Sequence, residues 1–152
     1  TGKRDAQDYL RQLGASEILS REETSAESTR PLEAERWAGS IDTVGGATLA
    51  YLMRTTKKGG AIAAIGVSGG AAFNTTVFPL ILRGIKVLGI DMPSTPLEMR
   101  RELWEEVIRE ATLLSLADSI VSEVTLEDIP RVTQAMLGGQ TRGRILVRPS
   151  EQ

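Results

Sequence analysis

Ala61-Ile62-Ala63-Ala64-Ile65-Gly66-Val67 is the stretch whose reading decides the fold of this 152-residue chain. A strand with one wet face alternates apolar and polar residues, whereas this run is apolar on both faces. That pattern suits a strand covered on both sides, as in a parallel sheet. Glycine pairs bound it, Gly59-Gly60 before and Gly69-Gly70 after, so its length is that of a strand. The glycine-free run Ala61–Ile65 is also far shorter than the ~20 residues a membrane helix needs.

Working outward, Ser40–Val44 reads as a strand, Gly45-Gly46 as its turn and Ala47–Thr56 as a helix closed by Lys57-Lys58-Gly59-Gly60. Downstream, Thr75 or Thr76 caps a helix that tolerates Pro79 only in its first turn, and Gly84 precedes a strand over Ile85–Ile90. Toward the N-terminus, Asp5 caps a helix through Leu13, with Ala6, Tyr9, Leu10 and Leu13 on one face and Gly14 as its stop. A short strand is expected at Glu17–Leu19. Ser20–Arg36 then reads as a polar loop with one helical turn and solvated charges.

After Pro93 and Pro96, a helix over Leu97–Leu114 aligns Leu97, Leu103, Trp104, Val107, Ile108, Ala111 and Leu114 in a stripe expected to be core. A strand at Ile120–Val124, a helix at Leu126–Leu137 and a strand at Arg144–Arg148 finish the chain. Alternating strands and helices predict an α/β fold with a mainly parallel sheet and flanking helices, whose ligands lie beyond the carboxyl ends of the strands.

Composition narrows the chemistry. There are 18 Lys+Arg against 20 Asp+Glu, a net charge of -2, so nothing draws the chain toward nucleic acid. With neither Cys nor His, the chain itself offers no disulfide, thiol nucleophile, imidazole base or nitrogen-and-sulfur zinc site, and no metal is expected. No signal pattern or membrane span is read, and a cytoplasmic protein is expected. Because Thr1 is not an initiator Met and stands directly before a helical pattern, the sequence reads as cut from the middle of a longer chain, the alternative being a mature chain whose leader has been removed.

Candidate site residues fall into two groups. Thr1-Gly2-Lys3-Arg4 combines a hydroxyl, a flexible glycine and two cations before a helix, which is either a site suited to an anion or simply a solvated basic end. Gly45-Gly46, Gly66 with Gly69-Gly70, and Gly89 sit at three successive strand ends. Each is an ordinary turn residue or a place where backbone approaches a ligand closely, and the repetition favours a common ligand edge. Asp42 suits a turn or cap better than a general base, Tyr9 and Tyr51 suit core or rim, and no catalytic residue is assigned.

The order of short motifs resembles the nucleotide-binding domain of the medium-chain dehydrogenase/reductase superfamily, in its zinc-independent quinone oxidoreductase and acrylyl-CoA reductase group. Its carriers are Thr1-Gly2-Lys3, Asp8-Tyr9-Leu10, Leu13-Gly14-Ala15, Arg30-Pro31-Leu32, Trp37-Ala38-Gly39, Ile41 to Gly46, Thr75-Thr76-Val77 with Pro79, Ile81-Leu82-Arg83-Gly84, Leu88 to Asp91, and Gly143-Arg144. The resemblance implies a Rossmann-like, NADP-binding domain that is incomplete over 1–152. Its first strand, its Gly-rich turn and a catalytic domain would lie upstream, and 118–152 would include the segment returning toward that domain.

Residue by residue, the resemblance implies that Thr1, Gly2, Lys3 and Arg4 receive the 2′-phosphate of NADPH and that Val44 and Gly45 approach the centre of the cofactor. It implies that Gly66, Val67 and Ser68 lie beside the nicotinamide, that Leu88, Gly89 and Ile90 reach its carboxamide, and that Arg144 approaches the phosphates. The implied reaction is metal-free hydride transfer to an activated C=C bond or a quinone, by a homodimer paired through Ile85–Ile90. Two other readings remain: a non-catalytic dimerisation or interaction module, and an unrelated nucleotide-binding domain such as a methyltransferase, which would favour acidic residues at the opening turn.

Overall fold

The computed structural model describes residues 1–110, 115–116 and 119–149; the side chain of Arg4 and the expected helix end at 111–114 lie outside the described residues. The chain divides into two units, Thr1–Thr95 and Pro96–Gln152.

In the first unit a 3-10 turn at Arg4–Ala6 leads into α1 (Gln7–Gln12), followed by α2 (Arg21–Ser25), β1 (Trp37–Asp42), α3 (Gly46–Thr55), β2 (Thr56–Ala64), α4 (Phe78–Arg83) and β3 (Lys86–Gly89). The strands form one parallel sheet in the order β1-β2-β3. The two-sided apolar run therefore occupies the middle strand. Ile62 is fully buried there and packs with Leu49 and Met53 of α3 and with Ile85. Burying four such large apolar side chains is worth roughly 1.5–3 kcal/mol each.

Several expected boundaries move, each for a local reason. Glu17–Leu19 is not a strand, because among the described residues no ladder is recorded for it. β1 begins three residues earlier than expected and ends at Asp42, where the side chain turns the backbone. β2 begins at Thr56, and Lys57–Gly60 bulge within it, since Trp37 faces Thr56 while Gly39 faces Ala61. Gly59 (φ +74°) makes that bulge possible. β2 also ends at Ala64, leaving Gly66 and Val67 in the loop beyond it.

α4 starts at Phe78 rather than Thr75 or Thr76, with Pro79 in its first turn and Gly84 (φ +59°) closing it. Thr76 still contributes, accepting from the Phe78 N–H at 3.4 Å. β3 is narrower than the expected Ile85–Ile90. Ile85 turns into the core instead, and Ile90 continues the pairing only through its N–H to the Ala64 carbonyl (2.9 Å).

The second unit holds α5 (Leu97–Arg109), β4 (Val121–Thr125), a 3-10 turn at Leu126–Asp128, α6 (Ile129–Leu137) and β5 (Arg144–Arg148). β4 and β5 pair in parallel. Thr125 and Asp128 exchange hydrogen bonds in a capping box, so the expected helix from Leu126 opens as a tighter turn. The core role expected for the α5 stripe is not observed. α5 contains no buried residue and Trp104 is 63% exposed.

Candidate functional site at the carboxyl edge of the sheet

Parallel registry brings three strand ends together. Asp42 of β1 pairs with Ala64 of β2, and Ala64 with Gly89 of β3, so the loops after each strand leave from one edge. Val44, Gly45, Gly66, Val67, Ser68, Leu88, Gly89 and Ile90, all expected from sequence to face a ligand, stand at or next to this edge. This is the side on which open α/β sheets bind ligands.

Asp42 organises the first loop. Only 2% exposed, it accepts the Val44 N–H at 3.1 Å and the Gly45 N–H at 3.0 and 3.1 Å through its two carboxylate oxygens. Its carbonyl accepts the Ile65 N–H at 2.8 Å, which ties the first loop to the second. Asp42 thus makes the turn after β1.

The second loop lies directly against the first. The Gly69 N–H donates to the Val44 carbonyl at 2.7 Å, and the Ser68 hydroxyl donates to the Thr43 carbonyl at 3.1 Å. A Cβ on Gly66 would stand 2.5 Å from the Thr43 oxygen, and one on Gly45 (φ +70°) would stand 2.5 Å from the Gly70 oxygen. These two glycines therefore fit one loop against another, a use that the sequence did not separate from ligand approach. Gly89 differs, with nothing within 4 Å of its would-be Cβ. Beside it, Val67, Leu88 and Ile90 expose apolar surface suited to a flat ring.

A second locus lies at the chain start. The Thr1 nitrogen donates to the Leu19 carbonyl at 2.6 Å, and the Thr1 hydroxyl accepts the Lys3 N–H at 3.2 Å. A Cβ built on Gly2 would lie 3.3 Å from both Cζ and Nε of Arg21, so that guanidinium rests over the glycine. Arg21 opens α2 just after the Ser20 cap. Arg144 opens β5 in the second unit and is described there alone.

The Ser20–Arg36 charges are not merely solvated. Arg54, 7% exposed, pairs with Glu33 at 2.8 Å and donates to the Ala26 carbonyl at 3.0 Å. Arg83 donates to the carbonyls of Arg54 (2.8 Å), Thr56 (3.1 Å) and Glu33. Partial burial pushes the Glu33 carboxyl upward, but hydrogen bonds from Ser28 and Arg54 and the charges of Arg54 and Arg30 outweigh it and hold the group below its ordinary value. Arg36 stacks 5.0 Å from the Trp37 ring centroid and pairs with Glu17 at 2.7 Å. A cavity of about 600 Å³ lies beside this network, between 26–31, the Ala47, Ala50 and Arg54 face of α3, and 72–76. It is lined by none of the residues expected from sequence to face a ligand.

The architecture is shared with known proteins. Residues 1–112 match the family model described as zinc-binding dehydrogenase. The chain is 41% identical, over 97% of its length and 44% of the relative's, to the acrylyl-CoA reductase AcuI of Ruegeria pomeroyi. The structure of the yhdH oxidoreductase from Salmonella enterica in complex with NADP superposes with TM-score 0.89 at 40% identity, covering 99% of this chain and 45% of that one. That of Bacillus subtilis protein yhfP with NAD bound gives TM-score 0.86 at 39% identity, over 97% and 45%. The chain thus spans less than half the length of these relatives. Zinc does not fit the residues present: there is no Cys or His, and no cluster of three or more candidate ligands occurs among the described residues. No described helix is long and apolar enough to cross a membrane.

Proposed function

The chain belongs to the zinc-binding dehydrogenase family, and we propose that it is the C-terminal, cofactor-binding portion of a longer NADPH-dependent oxidoreductase of the acrylyl-CoA reductase and quinone oxidoreductase kind. The observation that carries this reading is the single carboxyl edge formed by Asp42, Ala64 and Gly89, with its glycine loops and exposed apolar residues. Identity of 40–41% to an acrylyl-CoA reductase and to an oxidoreductase solved with NADP supports it.

Thr1, Gly2 and Lys3, with Arg4 by sequence, hold the 2′-phosphate. Val44 and Gly45 flank the centre of the cofactor, and Gly66, Val67 and Ser68 line its nicotinamide end with Leu88, Gly89 and Ile90. Arg144 serves the phosphates. When bound, NADPH supplies the hydride for reduction of an activated C=C bond, as in an acrylyl-CoA-like thioester, or of a quinone. The protein's part is orientation and exclusion of water, for which two loops locked to each other by Asp42, Ser68 and Gly69 are suited.

The test is NADPH binding, and NADPH oxidation with acrylyl-CoA and with a simple quinone, by the full-length reductase. Turnover with either acceptor is expected, and failure to bind NADPH refutes the cofactor assignment. Replacing Lys3 by Ala should weaken NADPH at least about tenfold and NADH little, since only NADPH carries the 2′-phosphate. Equal losses for both cofactors refute that role.

A second reading rests on β3. All four of its residues are exposed, and it forms an edge of the described sheet. Such an edge pairs with a second copy, giving a homodimer through Ile85–Ile90. Sedimentation of the full-length protein as a dimer, and as a monomer after Leu88→Lys, is the expected result.

A further inference from the structure

We propose that the cavity beside α3 is the subsite for the adenosine end of an acyl-CoA substrate. This rests on the reading of the chain as part of an acrylyl-CoA reductase-like enzyme, and it selects the thioester over the quinone. The cavity starts at the ligand edge. Ala47 is the second residue of α3, directly after the glycine turn that follows β1, and 72–76 continue the loop that carries Gly66, Val67 and Ser68. From Ala47 to Arg54 the lining runs back along α3 for about 10 Å, away from that edge. A substrate whose acyl group meets the nicotinamide therefore has room here for a remote handle. CoA carries such a handle, a nucleotide joined to the thioester by an extended arm.

Its volume of about 600 Å³ is within the usual range of small-molecule sites. Arg54 holds the 26–31 wall in place by pairing with Glu33 at 2.8 Å and donating to the Ala26 carbonyl at 3.0 Å, so the cavity is built into the fold. The lining suits a neutral aromatic base. Pro31, Ala50 and the exposed ring of Phe73 give an apolar slot in which a purine stacks. Beside them the Asn74 amide offers the donor and acceptor pair that matches the edge of adenine. Charge inside the cavity does not favour phosphate, because Arg54 is matched by Glu33 and Glu27 shares the rim with Arg30. The base and ribose thus enter the cavity while the phosphates stay in water at its rim. A handle held away from the reacting bond supplies binding energy that a small acyl group lacks.

The experiment follows NADPH oxidation by the full-length reductase and its Phe73→Ala and Asn74→Ala variants with acrylyl-CoA and with acrylyl-pantetheine, the same thioester without the nucleotide. NADPH affinity of each variant is measured by calorimetry. Phe73→Ala should raise KM for acrylyl-CoA at least about fivefold, the loss of one stacked base, and Asn74→Ala at least about twofold. KM for acrylyl-pantetheine should move less than about twofold in Phe73→Ala, and NADPH affinity should keep its wild-type value in both. If acrylyl-CoA kinetics are unchanged in both variants, or if the two thioesters weaken equally, the cavity assignment is overturned and the cofactor reading stands. Loss of NADPH affinity in the variants overturns it as well, since that marks residues that support the cofactor edge. If the wild-type enzyme reduces a quinone but neither thioester, the substrate reading fails and takes the subsite with it. If it does not bind NADPH, the cofactor reading itself fails.

Discussion

Glycines with the same place in the sequence pattern do different work in this protein. Gly66 follows β2 as Gly89 ends β3, yet a Cβ on Gly66 would meet the Thr43 oxygen at 2.5 Å, whereas one on Gly89 meets nothing within 4 Å. Gly66→Ala should therefore cost about 1–3 kcal/mol, the usual penalty for forcing atoms into filled space, while Gly89→Ala should stay within about 0.5 kcal/mol. Urea denaturation of both variants checks the difference. Gly89→Ala should instead show its effect in NADPH affinity, because the open space beside it belongs to the proposed ligand edge. The role of Asp42 was legible from its place at a strand end, whereas the loop packed on Gly66 and Gly45 was not. Backbone contacts between residues 21–25 apart leave no trace in local composition.

At the level of elements, α4 does more than connect β2 to β3. Its Arg83 supplies donors to carbonyls at the end of α3, the start of β2 and Glu33, and Arg54 of α3 holds the 26–33 segment through Glu33 and Ala26. Removing one such guanidinium strands several partly buried acceptors. Arg83→Ala is expected to destabilise the protein by about 2–4 kcal/mol, with Arg83→Lys restoring only part of it. The Glu33 carboxyl, held below its ordinary value, adds a pH dependence of fixed sign. Its contribution is present above the ordinary Glu value of ~4.3 and is lost as pH falls through the lower folded value. Glu33→Gln should therefore flatten the loss of stability below about pH 4.5 in denaturation curves taken as a function of pH. Sequence reading treated these charges as a solvated loop. The Arg-carboxylate and Arg-carbonyl partners lie 21–50 residues apart, and spacing cannot reveal them.

Across the whole molecule, burial is uneven. The buried hydrophobic residues, Ala6, Leu49, Ala50, Tyr51, Met53, Ile62 and Ile85, all belong to Thr1–Thr95, and none of the described residues of Pro96–Gln152 is buried. In the chain of 152 residues, amide exchange should thus be slowest over Ala61–Ala64 and much faster over β4, β5 and α6, because local opening is easiest where few apolar contacts must break. Comparable protection in both units would refute this. The sequence by itself determined the α/β class, a mainly parallel sheet with a strand over Ala61–Ala64 apolar on both faces, the order of the main elements and the family, because these depend on apolar periodicity, turn residues and motif order along the chain. Only the tertiary structure decided where β1 and β2 begin and end, that Gly45 and Gly66 seat one loop on another, that Arg54 and Arg83 tie a polar loop to the sheet, and that Arg21 reaches Gly2. Those features are contacts between residues distant in sequence, and their energies come from what folding brings within a few ångströms.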